Sequence, residues 1–178
     1  MADPKHLTTP LSDSDLSGLE AGQMVYLSGA VYTARDAAHK RLVEMLAKGE
    51  APPFDFKGQV IYYAGPCPAR PGQIIGSVGP TTSGRMDAYS PALIERGLKA
   101  MIGKGLRDHK VIEAIVKNGG VYFAAIGGAA ALMSQCVKKV EMIAFEDLGT
   151  EAVRRLTLEN MPVIVAIDAK GRNAYKAM

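Results

Sequence analysis

Apolar positions along this chain change period several times, and the changes divide it into elements. From Gly22 the run "GQMVYLSGAVYTA" is apolar and β-branched as far as Ala34, which predicts an extended strand, or a strand pair, bent at Gly29. The following "RDAAHKRLVEMLAKGE" sets Ala38, Leu42, Met45 and Leu46 at helical spacing and stops in the Gly and Pro residues of "KGEAPPFDF". A helix opened by Arg35 and Asp36 is the expected result. Two short strands should come next, "QVIYYAG" and "QIIGSVG", separated by "PCPARPG", whose prolines cannot continue a ladder.

Strand and helix then alternate: a helix around "SPALIERGLK", a strand "AMIG", a helix "RDHKVIEAIVKNG", a strand "GVYFAAIG" and a small-residue helix "AAALMSQCV". The tail adds "KVEMIAFEDLG", a mixed segment up to Asn160, the strand "PVIVAID" and the turn "AKGRNAY". Residues 1–14 are polar and turn-rich; they read as an N-terminal arm with no assigned structure, which leaves 15–178 as one domain. Because β-rich and alternating stretches coexist, the fold class expected is mixed α/β.

Composition narrows the function classes. At 178 residues, with 48% hydrophobic and 22% charged positions, the chain has what one globular core needs. Its longest weakly polar stretch, Gly119 to Met133, carries four glycines and falls short of the roughly 18 residues of a membrane span, so it reads as a buried strand and turn. The start "MADPKHLTTPLSDSDL" lacks the basic and apolar stretches of a secretory signal, which makes a cytoplasmic protein the expectation. A net charge of +3 with acids and bases intermixed gives no nucleic-acid footprint but suits a small acidic ligand. The two cysteines, Cys67 and Cys136, are too few for a zinc or iron–sulfur site, which takes about four ligands; both read as small buried or semi-buried residues.

Three stretches put polar groups at predicted strand ends: "TARDAAH" at 33–39, "GPTTSGRMD" at 79–87 and "MIGKG" at 101–105. Ligands of open α/β sheets sit outside the carboxyl ends of strands, so Arg35, Thr81, Thr82, Ser83, Arg85 and Lys104 form an anion-accepting set. Two guanidinium forks suit a ligand with two acidic ends. A helix starting near Thr81 would offer further N–H donors and put Thr81 and Arg85 on one face. The plainer readings are an N-cap hydroxyl for the threonine stretch, a solvated first turn for Arg35 and Asp36, and a surface turn for Lys104. Of the histidines, His6 and His109 read as solvated, and His39 as the one with a rim position. Neither "IGGAAAL" nor "GSVGP" has dinucleotide-binding spacing.

In order along the chain, "YLSGAVYTARDAAHKR", "GPTTSGRMDAYSP", "MIGKG", "VYFAAIGGAAAL" and "VEMIAFEDLG" resemble the β subunit of two-subunit class I fumarase, equivalent to the C-terminal domain of single-chain iron–sulfur fumarases. They are also similar to the β subunit of L-tartrate dehydratase. The resemblance implies a swivelling β/β/α domain and a hydro-lyase interconverting fumarate and L-malate. It further implies a four-iron four-sulfur cluster held by three cysteines of an α subunit, in a heterodimer that dimerises further. Thr81 then corresponds to the base for the C3 proton of malate, Thr82 to a binding hydroxyl, Arg35 and Arg85 to carboxylate-binding arginines, and Lys104 to a further substrate contact. "TTSGRMD" and "ARDAAH" are nearer the fumarases than the tartrate dehydratases. A tartrate dehydratase β subunit and a non-catalytic anion-binding module are the alternatives.

Overall fold

The computed structural model describes residues 3–126 and 130–176. Its seven strands are β1 (Lys5–Thr8), β2 (Met24–Thr33), β3 (Val60–Tyr62), β4 (Ala100–Gly103), β5 (Val121–Ala125), β6 (Val137–Ala144) and β7 (Val153–Ile167). They lie in the order β1-β2-β3-β4-β5-β7-β6, and β7 pairs in addition with β2. That pairing closes β2, β3, β4, β5 and β7 into a ring. Strands β1 to β5 run parallel, whereas β7 is antiparallel to β2, β5 and β6. The two long strands each serve two neighbours in succession: β2 pairs with β1 over Val25 to Ser28 and with β3 at Tyr32 and Thr33, while β7 pairs with β6 over Val153 to Leu158 and with β5 from Val163.

Alternate residues of a strand face opposite sides, and here both sides are buried. Val60, Tyr62, Ala100, Ile102, Val121 and Phe123 join Val25, Leu27 and Val163 in one cluster, inside the ring. Ile61, Tyr63, Met101 and Tyr122 belong to a second cluster under the helices. Of these, α2 (Asp36–Ala47) contributes Ala38 and Leu42, α3 (Ser90–Glu95) Leu93 and Ile94, and α4 (His109–Asn118) Val111 and Ile115. Two β layers of the ring plus a helical layer make the β/β/α arrangement of a mixed α/β domain. Burial on both faces is why β3, β4 and β5 read as continuous apolar runs.

Four sequence expectations are corrected. Residues of the unstructured arm form β1, whose Leu7 enters the inner cluster, and a short helix α1 (Asp13–Ser17) follows, with a Ser12–Asp15 capping box. "QIIGSVG" is not a strand: the loop folds on itself, Cys67 N–H donating to Ser77 O and Gly76 N–H to Cys67 O. A Cβ at Gly76 would lie 2.5 Å from Cys67 O, so the two arms of the loop approach as closely as a glycine allows. The mixed segment before Asn160 is the first half of β7. Pro162 falls between the parts of β7 paired with β6 and with β5, where one edge asks no ladder bond of it. Fourth, Cys67 is exposed, not buried, while Cys136 is half-buried.

The small-residue helix is α5 (Ala130–Gln135); its expected start at Ala129, and Gly127 and Gly128 of "IGGAAAL", lie outside the described residues. No helix among the described residues is long and apolar enough to cross a membrane.

Candidate active site

Because β2, β3 and β4 are parallel, their carboxyl ends share one rim, and the chain comes to it three times. Arg35 leaves β2 and is the N-cap residue of α2, in extended backbone. Its peptide oxygen accepts the His39 N–H and the His39 Nδ1–H, each at 2.9 Å. The guanidinium lies against Gly65, just past β3, where a Cβ would sit 3.1 Å from Nη1 and 3.2 Å from Cδ. A side chain at 65 would displace the arginine. Arg35 Nε is buried with no partner among the described residues.

Thr81 and Thr82 wedge between the ends of β3 and β4. Thr81 N–H donates to Tyr63 O at 2.7 Å, Thr82 bridges to Lys104, and Ser83 N–H donates to Lys104 O at 2.9 Å. A single 3₁₀ turn, Ser83–Met86, follows in place of the helix expected from Thr81. The N–H groups of Thr81 and Ser83 are therefore spent on the sheet, and side chains carry the anion-accepting capacity. Ser83 is buried against Gly103, where any Cβ would collide with Ser83 Oγ. Burying Ser83 leaves its neighbours outside: Thr82, Arg85 and Lys104 are exposed and Thr81 half-buried.

Arg85 reaches back across the rim to α2. Its Nε and Nη2 lie 2.8 and 2.7 Å from one oxygen, Asp36 Oδ2. The first turn of α2 favours that carboxylate through the helix dipole, and it holds a second, Glu151 Oε1 accepting the Ala37 N–H at 3.3 Å. Arg35, Thr81, Thr82, Arg85 and Lys104 thus share one rim, with one of its three cations already matched by Asp36.

His39 is corrected from rim to core. It is fully buried, edge-on to Tyr63 at 5.2 Å, and burial holds its pKa down to about 4, so the ring is neutral at pH 7. Since a carbonyl only accepts, the proton sits on Nδ1, and Nε2 has no partner among the described residues. His6 and His109 are exposed as expected.

Sequence reasoning missed Arg107, which lies buried beneath this turn and pairs with Asp87. Nothing in "GLRDHK" marks the arginine as different from a solvated one; the only hint was an acid, Asp87, closing the threonine motif.

The donor set of this chain does not fit a four-iron four-sulfur cluster. Cys67 and Cys136 are two thiols, and no group of three or more His, Cys, Asp or Glu among the described residues is placed to hold a metal ion.

The Fumarase C-terminus family model matches residues 4–178. "Fumarate hydratase class I, aerobic" of Salmonella typhimurium is 37% identical over 174 residues, 96% of this chain and 30% of that protein. "Fumarate hydratase 1, mitochondrial" of Leishmania major is 42% identical over 154 residues, 85% of this chain and 28% of that protein. A Methanocaldococcus jannaschii protein provisionally named L(+)-tartrate dehydratase subunit beta is 40% identical over 172 residues, 93% of this chain and 88% of that protein. This chain therefore spans under a third of the fumarate hydratases and most of the subunit. With a match running over all but its first three residues, the chain belongs to the Fumarase C-terminus family.

Proposed function

We propose that this chain supplies one wall of the active site of a cytoplasmic hydro-lyase that interconverts fumarate and L-malate. The other wall and the four-iron four-sulfur cluster come from an α subunit, in a heterodimer that dimerises further. The observation that supports this reading best is the convergence of Arg35, Thr81, Thr82, Arg85 and Lys104 on the rim of β2, β3 and β4. Two arginines from different elements suit the two carboxylates of a C4 diacid, since each guanidinium offers parallel N–H groups to a carboxylate face. Lys104 adds a point charge, and Thr82 a hydroxyl beside it.

Dehydration of malate needs a base for the C3 proton. Thr81 fills that role as an alkoxide, taking the proton as the C2 hydroxyl departs; in hydration the same proton returns to C3. A neutral threonine is too weak, and the cations of the rim favour its ionised form. Departure of the hydroxyl is left to the partner chain, because the donors here do not fit a cluster.

The tartrate dehydratase subunit beta, most of whose length this chain spans, supports the two-chain arrangement and keeps L-tartrate as a second substrate reading. Steady-state assays of the assembled, anaerobically prepared enzyme on fumarate, L-malate and L-tartrate decide it. Higher kcat/KM on fumarate is expected; preference for L-tartrate would replace the substrate but keep the reaction class. Tight phosphate binding with no turnover of any diacid would leave only an anion-binding module.

A further inference from the structure

We propose that Arg107 is a positioning residue for the substrate-binding turn at 81–87. Its side chain is 0% exposed, and a buried guanidinium is costly unless its donors are met. They are met in a pattern that surrounds the turn. Nε donates to Asp87 Oδ1 at 2.6 Å, Nη2 to Ser90 Oγ at 2.9 Å and to Tyr63 OH at 3.2 Å, and Nη1 to Met101 Sδ at 3.6 Å. The guanidinium carbon also sits over the Tyr63 and Tyr122 rings, 5.2 and 4.9 Å from their centroids.

Each of the oxygen and aromatic partners in turn holds a different point of the turn. Tyr63 accepts the Thr81 N–H through its peptide oxygen. Tyr122 OH lies 2.9 Å from Ser83 Oγ and from Gly105 O. Ser90 Oγ donates to Met86 O at 2.9 Å. Asp87 closes the turn by donating its N–H to Gly84 O, while its second oxygen accepts the Asp108 N–H at 2.8 Å. One cation thus ties together the start, middle and end of the segment that carries Thr81, Thr82 and Arg85. A buried ion pair is a poor source of stability compared with apolar side chains of the same volume. What the pair does supply here is a fixed geometry. Enclosed by two aromatic rings, Arg107 acts through its neighbours and not on substrate.

The kinetic part of the test rests on the proposed hydro-lyase function; the exchange part does not. Arg107→Lys keeps the charge, but one ammonium cannot reach Asp87, Ser90 and Tyr63 in the same fork geometry. Hydrogen exchange on the full chain should show the amides of Ser83, Arg85 and Asp87 exchanging at least about tenfold faster, with β4 and β5 unchanged. In the assembled enzyme, kcat/KM on the preferred diacid should fall on the order of 100-fold with KM raised, since a small misplacement of binding groups has that effect. Asp87→Asn, a milder change at the edge of the network, should move both readouts the same way and stands in if Arg107→Lys does not fold. Unchanged exchange in the turn overturns the proposal, as does loss of protection spread equally over β4 and β5. A loosened turn with unaltered kinetics overturns it too. If the wild-type assembly turns over no diacid, the functional reading falls, and the exchange pattern alone decides whether Arg107 holds the turn.

Discussion

Arg85 meets Asp36 through two N–H groups on a single oxygen, at 2.8 and 2.7 Å, which fixes the guanidinium plane while Nη1 has no protein partner among the described residues. Under the proposed function a lysine could keep the ion pair or reach a substrate carboxylate, but could not do both with one ammonium. Arg85→Lys is therefore expected to leave the fold intact and to cost roughly 2 kcal/mol of transition-state binding, about 30-fold in kcat/KM, the worth of a charge-assisted hydrogen bond. Steady-state kinetics of the assembled enzyme check this; unchanged efficiency would remove Arg85 from the site. Part of the candidate set was legible beforehand, because Arg35 and Lys104 each follow an apolar run that forms a strand, and strand ends in α/β sheets gather ligand groups. The threonine pair follows "QIIGSVG", a loop, and comes to the same rim through the bridge of Thr82 to Lys104. The Asp36 partnership was not, since 49 positions separate the two residues and nothing local in either stretch selects the other.

At the scale of elements, α2 seats Arg35 and Asp36, and His39 is the point where that seat meets the core. Because burial depresses the His39 pKa to about 4, the sign of its linkage follows directly. Between that value and the ordinary 6.5, the unfolded chain takes up a proton that the folded chain refuses, so stability falls as pH drops through this window. From pH 7 to pH 5 the loss from this residue is about 2 kcal/mol. Urea midpoints measured at both pH values should show it, and His39→Phe should flatten that part of the profile; an identical acid slope in the variant would mean that His39 is not the group. Periodicity anticipated α2, since Ala38 and Leu42 stand at helical spacing, but it could not say that His39 shares their buried face. Elements defined by long-range pairing were harder to read. β1 is four residues whose only apolar anchor is Leu7, and it becomes a strand because β2 offers it a free stretch of edge. β7 continues through Asn160 and Pro162, residues that locally signal a break, because β2 pairs with it on both sides of them.

The described residues form a closed β ring with α2, α3 and α4 on its outer face and a cationic rim at one end. This chain spans 30% of the Salmonella fumarate hydratase, and its own donors do not fit an iron–sulfur cluster. Under the proposed function, Arg35, Thr81, Thr82, Arg85 and Lys104 close a site whose metal chemistry sits on a partner chain. The most direct test is the rate of malate formation from fumarate, measured anaerobically for this chain alone, for the cluster-bearing α subunit alone, and for the two combined. Turnover only in the combination is the predicted result. Activity of this chain alone, or an α subunit that works as well without it, would contradict the claim that the rim is half of a shared active site.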